Sequence, residues 1–517
     1  MDHLWFWDPS IASGFQHSIF RTVLFCCSGA LCTFLAFVLY QWYFHPLCQF
    51  PGSDSFTQFP YSRSYLGGRQ PWDILKLHDR YGPVVRISPN DLSFNTAKSW
   101  SDIYGVRKGQ ASCFIKSNFY DGGNFADQAH SIVSERDPEK HHQMRKFLSR
   151  AFSDTSLKEQ QALVNTKIDR FVDRIGEQGT VDFTHWFNLL TFDIIGELAF
   201  GRDFQGIETG QTHFWINDVL GSMSQASVSD TLTRFPVLGK AWLVCNPGWI
   251  SKLMVAATRH QKYTIELTTR RLQEDTGRKD FMSYLLQDRD DSSDIQLAAH
   301  ASDFVIAGSE TTATTLAVLF YYVCTTPSAK QELEREVLSA FSAYGDINAT
   351  SAASLQYLHA VCQEALRMFP PLPLGLPREV PKGGETVDGF YVPEGTIVST
   401  NPYAASISSS NFESPEQFRP SRWLSGELKD NLDASRPFSF GPRACLGRGE
   451  STARSLADNL NTLDRLAWLE LHVTVAKIVY TYELELVDGS LDWNKEARMS
   501  LLWKKPDLNI KLTKRTR

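Results

Sequence analysis

Ten residues close to the C-terminus, Phe438-Ser-Phe-Gly441-Pro-Arg443-Ala-Cys445-Leu-Gly447, constrain this chain more than any other stretch of it. One cysteine stands between two glycines, which let the backbone turn tightly around its sulfur. Backbone N–H groups after the cysteine, and a helix expected to begin there, favour thiolate over thiol. Arg443, two residues earlier, is placed to pair with an anionic cofactor edge. A lone cysteine is ordinarily a small buried apolar residue, and that reading suits Cys324 and Cys362. The complete pattern Phe-x-x-Gly-x-Arg-x-Cys-x-Gly is too specific for it to suit Cys445.

The remaining cysteines carry no chemistry of their own. Nine are scattered along the chain: Cys26, Cys27, Cys32, Cys48, Cys113, Cys245, Cys324, Cys362 and Cys445. No Cys-x-x-Cys pair occurs, which excludes zinc-ribbon and ferredoxin-like clusters. The odd count without framework spacing excludes a disulfide scaffold and points to a reducing compartment. A net charge of -6 and a pI near 6.1 give no electrostatic reason to expect nucleic acid as a partner. There is no repeat at solenoid spacing and no low-complexity tract.

From Thr22 to Tyr40 the chain carries no charge, a run just long enough to cross a bilayer as a helix. Trp42, Tyr43 and Phe44 follow, as expected where a helix leaves the hydrocarbon. A cleaved signal peptide is the alternative. The run is long for a signal core, however, and no small-x-small cleavage site follows it. Arg63, Arg69, Lys76, Arg80 and Arg86 come after the span and only Arg21 before it, which places the bulk of the chain on the cytoplasmic side. There the sequon at Asn348 stays unmodified. Residues 1–44 are therefore read as an anchor with its helix at about 22–40, and 45–517 as the main domain. His45-Pro46 to Phe50-Pro51-Gly52 reads as a stiff connector.

Within that domain, residues 53 to about 100 mix β-branched runs with turn residues and read as a small sheet region. From about 138 to 345 apolar residues recur at helical spacing, broken at Gly201, Pro236, Pro247 and Pro327. After Pro370 short strands return, such as Thr386-Val387-Asp388-Gly389-Phe390-Tyr391-Val392, and a last helix covers Leu466 to Tyr480. No linker divides these parts. The expectation is one large, mainly helical domain with a minor β-sheet region.

With the cysteine segment, several further motifs make the chain resemble a cytochrome P450, and the match runs from the anchor to the C-terminus. Tyr43-Phe44-His45-Pro46-Leu47, Tyr81-Gly82-Pro83-Val84-Val85-Arg86-Ile87 and Tyr480-Thr-Tyr-Glu-Leu-Glu-Leu resemble the fungal secondary-metabolism members. The resemblance implies haem as cofactor, with Cys445 as its axial thiolate ligand. Ala307-Gly308-Ser309-Glu310-Thr311-Thr312 would belong to a central helix. Small Ala307 and Gly308 would leave room over the iron, and Glu310 and Thr311 would organise proton delivery to reduced dioxygen. Phe438 would belong to the cofactor's surroundings.

Glu364-Ala-Leu-Arg367 matches the family's buried ion pair, completed by Arg422 in Phe418-Arg-Pro420-Ser421-Arg422-Trp423. Ser421 stands where glutamate is usual. His141 and Arg145 resemble a Trp-x-x-x-Arg pattern with His141 replacing tryptophan, and they lie one helical turn apart. With Arg378 and Arg443, they would face the two haem propionates. The neighbouring His142 points to another face, which argues against a metal pair.

The resemblance implies insertion of one oxygen atom from dioxygen into an apolar small molecule, on the endoplasmic reticulum membrane. Electrons would come from NADPH through a membrane-bound reductase, for which Lys140, Lys146 and Arg150 offer a basic docking patch. Substrate-lining segments are expected at about 100 to 125 and 204 to 250. A non-oxygenating isomerase or dehydratase is one rival, although such relatives commonly lack the acid–threonine pair. An impaired haem-binding homologue is the other.

That second rival rests on a break in the pattern. The family continues Cys-x-Gly-x-x-Leu-Ala-x-x-Glu, but here Leu466-Ala467-Trp468-Leu469-Glu470 restores it sixteen residues late. The polar stretch Gly449 to Arg465 intervenes. Lengthening the helix by sixteen residues would rotate its core face by roughly 160°, so a bulge is expected. The segment is read as a retained intron or gene-model error that the working enzyme lacks.

Overall fold

The computed structural model describes residues 9–516 except 53–57, 108–113, 124, 127, 246, 275–276, 278–279, 288–292, 425–428 and 449–465. Cys113 and the intervening segment Gly449–Arg465 therefore lie outside the described residues. The chain begins with helix α1 (Pro9–Tyr43), longer than the uncharged run at both ends. Its stretch Phe20–Tyr43 is apolar and long enough to cross a membrane, and it is exposed up to the last turn, where Gln41 is buried. The end of α1 is fastened to the domain. Arg86 donates to the Gln41 carbonyl at 3.1 Å and to its side-chain oxygen at 2.5 Å, while Leu47 and Phe50 are buried just beyond.

Seven more helices frame the site: α2 (Pro138–Ser149), α3 (Phe183–Phe200), α4 (Phe214–Arg234), α5 (Gly248–Gln273), α6 (Asp294–Thr325), α7 (Gln356–Met368) and α8 (Leu466–Thr481). Their ends obey local chemistry. The Asp137 carboxylate caps α2, with Pro138 in the first turn. Ser293 caps α6, and α3 stops where Gly201 takes a left-handed φ of 64°. The breaks read at Pro236, Pro247 and Pro327 fall at helix starts. Helix α6 is apolar on nearly every face, and it is buried accordingly against α3, α5, α7 and α8.

A five-stranded sheet runs in the order β1 (Val84–Ser88), β2 (Asp91–Phe94), β8 (Ile397–Thr400), β5 (Arg378–Glu379) and β3 (Ile115–Lys116), with β2 and β8 parallel. The hairpin of β6 (Glu385–Val387) and β7 (Phe390–Val392) turns at Asp388 and Gly389, both at positive φ. Strand β12 (Asn509–Lys514) lies between β4 (Thr180–Asp182) and β9 (Tyr482–Leu486). A two-stranded ribbon joins β10 (Arg498–Ser500) to β11 (Leu502–Lys504).

The mainly helical architecture is as expected, with one correction. Among the described residues, 53 to 100 hold only the β1–β2 hairpin as sheet. Helices Phe59–Leu66, Gln70–Tyr81 and Ala97–Tyr104 occupy most of the remainder, and Pro60 and Pro71 in first turns mark two of them.

Candidate active site

The cysteine segment folds as a closed loop. The Cys445 N–H donates to the Phe438 carbonyl at 3.0 Å, with Ser439 and Gly441 at φ of 62° and 75°. Gly441 is obligatory: a Cβ there would stand 2.1 Å from the Tyr104 carbonyl oxygen. Gly447 is under no such constraint, its hypothetical Cβ being 3.8 Å from the Cys445 sulfur. The sulfur opens into a cavity of about 350 Å³ between the loop and α6.

A 3-10 turn, Leu446–Arg448, follows the cysteine and α8 is described from Leu466; the helix start expected directly behind the cysteine falls within 449–465, outside the described residues. Burial pushes the Cys445 thiol up, outweighing the Gly447 and Arg448 N–H groups and the Arg145 guanidinium that pull it down.

Basic side chains are gathered around the same cavity. His141 and Arg145 of α2, Lys116 of β3, Arg378 of β5, and Arg443 all line it. Burial first, then Arg443, Lys116, Arg145 and Arg378, push the His141 imidazole down to about 2, so it is neutral. Arg145 donates to the Ala444 carbonyl at 2.6 Å. Arg443 donates to the carbonyls of Glu135 and Arg136 at 2.7 and 2.8 Å. Arg378 is buried, and its Nε has no hydrogen-bond partner. Such a donor in a cationic pocket fits an anionic group with several acceptor oxygens, such as the propionates of a haem.

Lys116 was missed by the motif reading. Strand alternation held the signal, since Phe114 and Lys116 share one face and both are buried while Ile115 is exposed.

On the opposite wall stand Ala307, Gly308, Thr311 and Thr312 of α6. Ala307 faces the cavity, but Gly308 serves the packing. A Cβ on Gly308 would lie 3.0 Å from Ile195 Cδ1, so its absence lets α6 approach α3. The Thr311 hydroxyl donates to the Ala307 carbonyl at 2.6 Å. Glu310 does not line the cavity. It is buried in an ion pair with Lys505 at 2.9 Å, and Lys505 also donates to Asn188 Oδ1 at 3.0 Å and to the Thr314 hydroxyl at 3.3 Å. The acid and the threonine expected to work side by side thus face different surroundings. Another carboxyl reaches the wall instead: Glu470 of α8, paired with Thr312 and pushed up to about 8 by burial.

Behind the loop, Glu364, Arg367 and Arg422 form the expected buried cluster. Arg367 makes a two-pronged contact to Glu364 at 2.8 and 2.9 Å, and Arg422 Nε reaches Oε1 at 2.9 Å. Trp423 Nε1 and the Arg419 N–H complete the carboxylate's acceptor sites, each at 2.9 Å. Asp430 pairs with the far side of Arg422, a partner the motifs did not disclose.

The remaining wall is apolar, with Ile132, Phe152, Ile195, Phe281, Phe304 and Leu372 prominent. Lys116 and Tyr120 come from the segment expected at 100 to 125. Among the described residues none from 204 to 250 lines this cavity, because α4 and α5 pack outside α6 and α3.

The family model of cytochrome P450 matches residues 58–512. The chain belongs to the cytochrome P450 family. It is 47% identical over 471 residues to the cytochrome P450 monooxygenase ORF11 of Penicillium roqueforti, covering 90% of this chain and 95% of that protein. Identity is 38% over 503 residues to the cytochrome P450 monooxygenase BipB of Cochliobolus sativus, covering 93% and 96% respectively. With BOT4 of Botryotinia fuckeliana, also named a cytochrome P450 monooxygenase, it is 35% over 502 residues. Cytochromes P450 are haem-thiolate enzymes with an axial cysteine, and this P450 is accordingly an oxygenating oxidoreductase with haem as its cofactor.

Proposed function

We propose that this P450 uses Cys445 as axial ligand to oxygenate an apolar small molecule of fungal secondary metabolism, with electrons from NADPH through a reductase. One observation carries the reading: the Cys445 sulfur opens into a cavity ringed by Lys116, His141, Arg145, Arg378 and Arg443. Arg378 Nε, Arg145 and His141 would hold the haem propionates, with Phe438 beside the ligand loop. Bound there, haem supplies activation of dioxygen and transfer of one oxygen atom to a C–H bond or alkene.

The chain's own groups handle protons and shape. Thr311, whose own proton goes to the Ala307 carbonyl, offers hydroxyl lone pairs to a donor in the cavity. Glu310, one residue away, is held in a buried pair with Lys505, so a proton route through it would require its side chain to turn toward the cavity. The apolar wall excludes bulk water, which protects the reaction from leakage of reducing equivalents.

Residues 1–44 act as a single-pass anchor in the endoplasmic reticulum membrane, with residues 45–517 on the cytoplasmic side. The β1–β2 hairpin supports this arrangement. Both contacts lie toward its turn: Arg86 holds Gln41 of α1, and Asp91 pairs with Arg234 at 3.3 Å, a few residues before exposed Val237 and Trp242. Two apolar surfaces thus emerge near one hairpin. Exposed Lys140, Lys146 and Arg150 on and beside α2 offer a surface for an acidic flavodomain.

Replacing the ligand tests the reading. Cys445→Ser is expected to abolish the strongly red-shifted Soret band of the reduced, CO-bound protein. A variant that keeps the band refutes the ligand assignment. Substrate-dependent NADPH use in a system reconstituted with reductase would exclude both rival activities.

A further inference from the structure

Asp303 is a carboxyl group on the α6 wall of the cavity, beside apolar Phe304 and Ala307. It lines the cavity one helical turn before Ala307 and two before Thr311, so the three share one face of α6. At 1.5 Å per residue, Asp303 stands about 6 Å along the axis from Ala307 and about 12 Å from Thr311. Its Oδ2 accepts the Val133 N–H at 3.1 Å, and the Ser131 hydroxyl adds a second bond. Lys116 holds the same loop from the other side, donating to the Ile132 and Val133 carbonyls at 3.0 and 2.6 Å. His300, also on α6, accepts the Ile132 N–H at 3.4 Å.

The loop is therefore secured three times over, and Asp303 retains acceptor capacity beyond its two bonds, since a carboxylate offers about four lone-pair sites. Burial pushes its carboxyl up to about 6, which leaves it anionic at neutral pH. A wholly apolar substrate closing over this group would strip its water and give nothing back. A cationic substrate would meet the field of buried Arg378; a carboxylate would be repelled by Asp303 itself. A neutral hydroxyl satisfies the site without these costs.

We propose that Asp303 is a specificity-determining residue that accepts a hydrogen bond from a hydroxyl group on an otherwise apolar substrate. This deepens the proposed function and rests on it. The hydroxyl would be fixed at one end of the α6 face, with Ala307 and Thr311 about 6 and 12 Å further along the helix axis. The substrate class is a hydroxylated hydrocarbon skeleton. The reaction before this one must therefore deliver an alcohol, by hydration, reduction or an earlier oxygenation.

The test uses a matched pair of probes, cyclododecanol and cyclododecane, with full-length holoenzyme in detergent. Dissociation constants come from equilibrium dialysis and from the ligand-induced Soret shift. The quantity read is the preference for alcohol over hydrocarbon. Asp303→Ala is expected to reduce that preference by about tenfold to a hundredfold, the worth of a hydrogen bond to a charged group. Asp303→Asn, which keeps an acceptor for the Val133 N–H, should fall between. A role confined to holding the loop would weaken both probes equally and leave the ratio unchanged.

An unchanged ratio in both variants, with a normal CO-bound Soret band, overturns the assignment of Asp303 and leaves the haem-thiolate reading standing. Failure of the wild-type enzyme to bind either probe overturns the substrate class. Absence of the Soret band from the wild-type enzyme overturns the underlying reading instead.

Discussion

The Lys505 ammonium lies 2.9 Å from the Glu310 carboxylate, both buried, while Thr311, the next residue in sequence, faces the cavity. A buried carboxylate deprived of its partner is strongly destabilising. Lys505→Met should therefore cost about 3–5 kcal/mol of stability, read as a lowered midpoint of thermal unfolding. Adding Glu310→Gln should restore most of the loss. If the double variant melts no higher than Lys505→Met alone, the pair is not what stabilises this region.

Thr311→Ala should leave haem binding intact, because the Thr311 hydroxyl bonds only within α6 at Ala307. Proton delivery in the cavity should suffer, diverting reducing equivalents to peroxide. Product formed per NADPH is expected to fall at least several-fold. An unchanged yield would remove Thr311 from the proton relay.

Glu364 carries two arginines at once. Glu364→Ala would leave Arg367 and Arg422 facing each other in a buried site, a loss of about 3–5 kcal/mol or more. Arg367 also holds the Ser406 and Pro415 carbonyls at 2.7 and 2.8 Å. Haem content after purification should drop together with the melting temperature. A variant with normal haem content would show that the cluster does not support the ligand loop.

Glu470 predicts a pH dependence. Its carboxyl is raised in the folded protein from an ordinary 4.5 to about 8. The folded state therefore binds its proton more tightly than the unfolded chain does. That contribution to stability is whole below about 4.5, declines as pH rises, and is gone above about 8. Between pH 6 and 8 the wild-type melting temperature should fall more steeply than that of Glu470→Gln. Parallel curves would mean that Glu470 is already ionised.

The segment from Gly449 to Arg465 makes a genetic prediction. The 3-10 turn that ends at Arg448 packs against α8, and α8 begins at buried Leu466. The two flanks of the segment are thus neighbours already. Deleting Glu450–Arg465 restores the spacing Cys-x-Gly-x-x-Leu-Ala-x-x-Glu, and it should raise haem incorporation without disturbing Trp468 or Glu470. Sequencing the transcript should show the segment absent. A mature message that encodes it, with full haem loading and normal turnover, would refute the splicing interpretation.

Local chemistry announced most of the architecture. Prolines at helix starts, Gly201 at a helix end and the Asp388-Gly389 turn each act within a few residues, so the sequence displays them directly. The cysteine loop was legible for the same reason. Other features depend on residues far apart in the chain. Nothing near Glu310 signals Lys505, which arrives from the C-terminal strands 195 positions later. Gly308 looks like space for a ligand until Ile195 of another helix is set against it. Residues 204 to 250 are apolar enough to line a pocket, and only the packing of α4 and α5 outside the central pair shows that they do not line this one.

The bond from Arg86 to Gln41 makes the junction of α1 with the domain a bracket rather than a leash. Two guanidinium nitrogens grip the last turns of the helix, and the same side chain reaches the Pro89 carbonyl at 2.7 Å. With α1 set in a bilayer as proposed, the domain has one attitude toward the lipid instead of an average over many. A lipid-dissolved molecule would then meet the same patch of protein at every encounter. It would arrive by lateral diffusion, at its concentration in the membrane rather than its far lower concentration in water.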